Sequence, residues 1–242
     1  VMAQDASDPY GADNGPYVTA QLVSESGVLV RGEENIIGLH EEILDEWHVY
    51  WKNPGDSGLE TRVEWNVPQG VEVRDFIWPA PKPLPYQGLV NYGFEEDLLI
   101  KIPVFVPSDY VGDEITLSGK ATWLVCKEIC LPEEQELSLT LKVVDEAPSS
   151  QTTPAIFQEF EWFFPKDYAA ETQGSATFEK TEDEFRLILS DFPEIEGVQK
   201  IHFFPYEYGG LEYAAPQQWA RTGDVFEVIT KPQTPQQPEM VT

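Results

Sequence analysis

Short alternating runs, each stopped by glycine or proline, constrain the fold of this 242-residue chain more than any other feature. Val18, Ala20 and Leu22 alternate with polar neighbours, and Val28-Leu29-Val30 follows a Ser-Gly turn. Trp47, Val49 and Trp51 alternate up to Asn53-Pro54-Gly55, and Val63 and Trp65 lead to Pro68-Gln69-Gly70. Leu98, Ile100 and Ile102 alternate up to Pro103, and Ile115-Thr116-Leu117 leads through Gly119 to Ala121-Thr122-Trp123-Leu124-Val125. Leu137, Leu139, Leu141 and Val143 alternate over one long run. A period of two sends successive side chains to opposite faces, which suits half-buried antiparallel strands and not helices. Several such runs within about 130 residues predict an all-β chain built as a β-sandwich.

The same punctuation divides the chain. Residues 1–16 are polar and rich in Asp, Gly and Pro, which predicts a flexible N-terminal segment. The sandwich is expected over residues 17–146. Ala147-Pro148-Ser149-Ser150-Gln151-Thr152-Thr153-Pro154 reads as a linker. A second, smaller all-β domain is expected over residues 155–231, with strands at Ala176–Phe178, Phe185–Leu189, Ile201–Phe204 and Val225–Ile229. Only Tyr213–Ala220 suggests a helical turn there. The Pro-rich end, residues 232–242, reads as a tether.

Composition narrows the function. With 41% hydrophobic and 12% aromatic residues, the chain can bury a core without a disulfide to help it. There are 43 acidic residues against 15 basic ones, for a net charge of −28. Such a surface repels phosphate, so nucleic acid and anionic membrane faces are excluded as partners. No apolar run approaches the roughly 20 residues of a membrane helix, so this segment does not insert. The start, Val1-Met2-Ala3, fits the trimmed end of an export signal, an expectation that agrees with a cysteine pair oxidised outside the cytoplasm.

The chain has two cysteines, Cys126 and Cys130. A ring this small restricts the unfolded chain by only about 2 kcal/mol, against about 4.7 for a hundred-residue loop. The spacing therefore suits a dithiol that opens and closes better than a structural staple. On a straight strand the two residues would lie about 13 Å apart, too far to bridge. A turn over Lys127-Glu128-Ile129, between a strand ending at Val125 and one resuming after Pro132, would bring them opposite one another at an exposed tip. Lys127 favours a thiolate there, while Glu128 and the acidic surroundings oppose it. A local disulfide that stiffens the turn is the other reading. A metal site would need further ligands, and His40, His48 and His202 show no paired spacing. No cofactor is expected.

Other motifs carry less. Gly55-Asp56-Ser57-Gly58 is like a serine-protease nucleophile motif, but Leu59-Glu60 follows it and too little chain precedes it for the rest of a triad. It reads as a loop. His40-Glu41-Glu42 lacks the second histidine of a zinc-protease helix. The tryptophans suit core packing, with Trp78 and Trp123 the ones that could instead surround the cysteines.

One ordered series of motifs resembles a known family. It runs from Trp47-His48-Val49-Tyr50-Trp51-Lys52-Asn53-Pro54-Gly55-Asp56-Ser57-Gly58 through Trp78-Pro79-Ala80-Pro81 and Asn91-Tyr92-Gly93 to Trp123-Leu124-Val125-Cys126-Lys127-Glu128-Ile129-Cys130-Leu131-Pro132-Glu133. This resembles the N-terminal periplasmic domain of the thiol:disulfide interchange protein DsbD family, and within it the ScsB (suppressor of copper sensitivity) branch. The resemblance covers residues 17–146 well and the second domain loosely. The spacing of the cysteines is shorter than in DsbD itself and matches ScsB-type sequences.

The resemblance implies an immunoglobulin-like sandwich in the periplasm, working as a protein-disulfide reductase. Such a domain takes electrons from a membrane-embedded redox domain, of the same or a partner chain, and passes them to thioredoxin-like periplasmic proteins. Carried over, Cys130 is the attacking thiol and Cys126 the resolving one. Tyr50 aligns with a tyrosine near the cysteines, and the cap over the pair corresponds to the stretch from Trp78 to Tyr92. Tyr50, Trp78, Tyr92 and Trp123 are thus the expected site-lining or capping residues. The resemblance also brings in cytochrome c biogenesis and copper tolerance as associated processes. The second domain is expected to orient the first or to contact the partner. The alternative is a non-catalytic β-sandwich module that binds a protein partner through its acidic surface and carries a structural local disulfide.

Overall fold

The computed structural model describes residues 16–149, 152–166, 174–191, 198 and 200–233. The expected flexible N-terminal segment, up to residue 15, and the tether from residue 234 lie outside the described residues, as do residues 150 and 151 of the expected linker.

Two sheets form the sandwich. One contains β1 (Val18–Ser24), β3 (Glu34–Ile43), β9 (Asp97–Phe105) and the short β6 (Glu72–Val73), antiparallel in the order β1-β3-β9-β6. The other contains β2 (Val28–Val30), β11 (Cys130–Val144), β10 (Glu114–Cys126) and β5 (Arg62–Asn66), in the order β2-β11-β10-β5. Here β2 runs parallel to β11, while the remaining pairs are antiparallel. Val18, Leu22, Ile37, Leu39, Ile100 and Ile102 from the first sheet share one core with Ile115, Leu117, Ala121, Trp123, Val125 and Leu141 from the second. Apart from Ile37 and Leu39, whose strand β3 no alternating run had marked, these are the apolar positions of the runs read from the sequence.

A third sheet, β4 (Val49–Gly55), β8 (Leu89–Phe94) and β7 (Lys82–Tyr86), joins the sandwich at its end. Its β7–β8 hairpin turns at Gln87 and Gly88, both at positive φ (49° and 87°). That is the left-handed pair a two-residue hairpin loop requires.

Strand β9 departs from alternation: Leu98, Leu99 and Ile100 are all fully buried. Its second face is covered by a six-residue helix, α1 (Ala155–Phe160), which inserts the buried Phe157. Gly38 makes room for this contact, since a Cβ there would lie 2.6 Å from Leu99 Cδ1 and 3.1 Å from Phe157 Cζ. Lys101 Nζ, 2.7 Å from Glu161 Oε2, ties down the turn that follows. The sequence reading held no helix here, because one and a half turns are too short to show a period.

In the second region, β12 (Ser175–Lys180), β13 (Phe185–Ser190), β15 (Val225–Thr230) and β14 (Gln218–Thr222) form one four-stranded antiparallel sheet in the order β12-β13-β15-β14. Leu187, Phe226 and Val228 mark its buried face. One local expectation is corrected. Ile201–Phe204 is not a strand. The Gln217 side chain takes both backbone groups of Phe203, accepting from its N–H at 2.7 Å and donating to its carbonyl at 2.8 Å, where a neighbouring strand would have bonded. The stretch Tyr213–Ala220 begins in a single turn closed by the Ala215 N–H on the Glu212 carbonyl (2.9 Å), and Pro216 then leads into β14.

Candidate functional site

The longest strands of the molecule carry the cysteines. β10 and β11 pair in unbroken register from Glu114↔Lys142 to Cys126↔Cys130, and the turn between them is held by the Lys127 N–H on the Ile129 carbonyl at 3.1 Å. The two Cα atoms lie 4.1 Å apart and the sulfurs are joined in a disulfide. The two halves of that disulfide differ in access. Cys126 is 2% exposed, whereas Cys130 stands open to solvent.

Tyr50 explains part of the burial. It lies on β4 and is itself 1% exposed. Its hydroxyl donates to Cys126 Sγ at 2.8 Å and lies 3.6 Å from Cys130 Sγ. Burial pushes the phenol up to about 12, so at neutral pH it is a donor to sulfur and never a phenolate. Gly58 packs against its ring: φ is +118°, and a Cβ there would collide with the ring carbons. The Gly-Asp-Ser-Gly motif thus ends in a glycine that seats the tyrosine.

His48, two residues before Tyr50 on the same chain segment, was not among the expected site residues. It exchanges two 2.9 Å backbone hydrogen bonds with Cys126, and its ring meets the Tyr50 ring edge-on at 5.2 Å. Burial holds its imidazole below the usual histidine range, with the Glu95 carboxylate pulling weakly the other way. Its Nε2 is buried with no hydrogen-bond partner. The alternation of Trp47, Val49 and Trp51 contained the clue, since it places His48 and Tyr50 together on the opposite face.

The remaining expected residues are buried in the packing around the hairpin. Trp123 is in the core, and its indole N–H donates to Glu133 Oε2 at 3.1 Å. The same carboxylate accepts from the Tyr17 and Val18 N–H groups (2.9 and 3.2 Å), which fastens the start of β1. Along the outer face of the hairpin, Leu59, Arg62, Leu124 and Pro132 line an open groove of about 410 Å³. Trp78 is buried and stacks on Phe94 with centroids 6.3 Å apart. Tyr92 is buried among Trp51, Phe204 and Tyr213. Neither Trp78 nor Tyr92 hydrogen-bonds to a sulfur, as Tyr50 does. The tip of the β7–β8 hairpin presents Tyr86 and Leu89 to solvent.

At the turn, Lys127 Nζ pairs with Glu46 Oε2 at 2.6 Å. The hydrogen bond between them holds the ammonium up and the carboxylate down. With its charge offset this way, Lys127 does little to favour a thiolate at either sulfur.

Residues 19–142 match the family model described as thiol:disulfide interchange protein DsbD, N-terminal. The chain belongs to this family. The crystal structure of the N-terminal periplasmic domain of ScsB from Proteus mirabilis superposes with a TM-score of 0.54, at 21% identity over 88% of this chain and 77% of that one. At that identity the likeness shows a common fold, which extends past the family match into the second region. A structure titled for AvmM, which catalyses macrocyclization in alchivemycin A biosynthesis, overlaps with a TM-score of 0.25, at 11% identity over 55% of this chain and 92% of that one, too low to carry an argument. No curated protein matched. For a DsbD N-terminal family member, a bridged cysteine pair at a hairpin tip is the feature in keeping with thiol–disulfide interchange. Among the described residues no helix is long and apolar enough to cross a membrane.

Proposed function

We propose that this chain is a periplasmic disulfide reductase domain. It receives electrons from a membrane-embedded redox domain and passes them to thioredoxin-like partners. The observation that carries the reading is the unequal access of the two sulfurs: Cys130 exposed, Cys126 buried under Tyr50. An incoming disulfide can reach only Cys130, so Cys130 is the attacking thiol and Cys126 the resolving one.

In the reduced domain the Cys130 thiolate attacks one sulfur of the partner's disulfide. An S–S bond forms between the proteins, and the partner's other sulfur leaves as a thiolate and is protonated. Cys126 then loses its proton and attacks Cys130 Sγ. The internal disulfide closes and the partner departs with two thiols. Two electrons have moved to the partner, and the domain awaits two from the membrane domain. Trp78, Tyr92 and Trp123 hold the scaffold that aims the hairpin, and the stretch from Trp78 to Tyr92, the cap by resemblance, contains the β7–β8 hairpin.

Two variants of the full chain test this against an oxidised thioredoxin-like protein. Cys130→Ser is expected to abolish reduction of the partner. Cys126→Ser is expected to accumulate a mixed disulfide, visible as a higher band on a non-reducing gel. The reading fails if neither substitution alters exchange. A redox titration separates it from a structural bridge: an exchange site should titrate between about −120 and −270 mV, a structural one below about −300 mV.

A further inference from the structure

Resolution of the mixed disulfide poses a proton problem. Cys126 is 2% exposed, and burial disfavours the thiolate that must attack. Water has poor access to the thiol, so a nearby group must take the proton. Tyr50 touches the sulfur, but its phenol stays protonated and only donates. Lys127 is already paired with Glu46. Glu95 lies 3.9 Å from Lys82 Nζ and has no hydrogen bond to either cysteine.

His48 remains. Its two backbone hydrogen bonds with Cys126 make the two residues a directly opposed, hydrogen-bonded antiparallel pair. Opposed residues point their side chains to the same face, with Cβ atoms about 5.5 Å apart, so an imidazole can reach the sulfur beside it. Cys130 opposes Cys126 from the other side, so the three residues stand in a row across the sheet end. The His48 Nε2 is buried and free of any hydrogen bond, so it is available to accept one.

We propose that His48 is the general base that takes the Cys126 proton as the mixed disulfide on Cys130 is resolved. The inference rests on the exchange reading above. The Cys126 S–H bond breaks and its proton goes to His48. The thiolate electron pair forms the Cys126–Cys130 bond, and the partner sulfur leaves with the pair of the broken S–S bond. The imidazolium then returns its proton to solvent or to the departing thiolate. The charged and titratable groups around the imidazole are Tyr50 on the β4 strand that follows it, Cys126 and Cys130 on the hairpin, and Glu95 after β8. Of these, Glu95 favours the imidazolium that forms.

The test uses the full reduced chain and 5,5′-dithiobis(2-nitrobenzoate), whose coloured thiolate reports each step. The first release marks attack by Cys130 and the second marks resolution by Cys126. Because burial keeps the imidazole neutral at and above neutral pH, the second rate should be flat from about pH 7 to about pH 9 in the unaltered protein. His48→Gln should slow the second release about 100-fold at pH 7 while the first release persists. The residual second rate should then climb about tenfold per pH unit, following ionisation of the thiol itself. A second rate in the unaltered protein that already climbs this way overturns the proposal without any variant. So does an unchanged second rate in a folded His48→Gln protein. If the unaltered protein gives no second release at all, it is the exchange reading that fails.

Discussion

Glu41 has no exposed surface, and neither carboxyl oxygen has a hydrogen-bond partner. Burial raises its carboxyl from 4.5 to about 7. A carboxyl that ionises later in the folded chain than in the unfolded one costs stability as pH rises. Stability is therefore full below 4.5, falls as pH climbs towards 7, and stays lower above it. The loss across that window is about 3 kcal/mol. Glu41→Gln should flatten this slope, which urea unfolding at a series of pH values would measure. The sequence offered Glu41 only as part of a failed zinc motif, because burial of one acid among 43 leaves no local signal. The cysteines and Tyr50 were legible through spacing and family likeness. His48 and Gly58 were not singled out, because their roles come from register: the first opposes Cys126 across strands, and the second lies under the Tyr50 ring.

At the scale of elements, the strands followed the period of two wherever one face was buried and the other wet. The pattern named no strand at β3, where residues 37–41 are all buried, and it failed again where the chain did something else with its polar groups. The 201–204 stretch spends its backbone hydrogen bonds on the Gln217 side chain, and α1 is recruited by tertiary contact with β9, not by helical periodicity. That recruitment depends on one ring. Phe157→Ala would leave a void over Leu99 and Gly38 and should cost about 3–5 kcal/mol, read as a shift in the denaturant midpoint. Hydrogen exchange should then rise in α1 and along β9 before it rises in the β10–β11 hairpin.

Across the whole molecule, the second region grips the strand that carries Tyr50. Trp51 and Tyr92 pack against Phe204 with centroids 6.2 and 4.9 Å away, and Lys52 sits over the Tyr206 ring. The buried Asn53 amide donates to the Pro205 and Glu207 carbonyls at 2.7 and 3.1 Å. Asn53→Ala removes both bonds and leaves two carbonyls without their donor, which should destabilise the docked segment by about 2 kcal/mol. Limited proteolysis around residues 205–209 would detect the loosening.

The grip also bears on where this protein can be cut. A fragment ended at residue 146, where the sandwich pattern stops, would strip the cover from Trp51 and Tyr92 and leave a bare aromatic patch beginning at the residue next to the tyrosine that touches sulfur. Such a piece would invite self-association at the very strand whose position governs the chemistry.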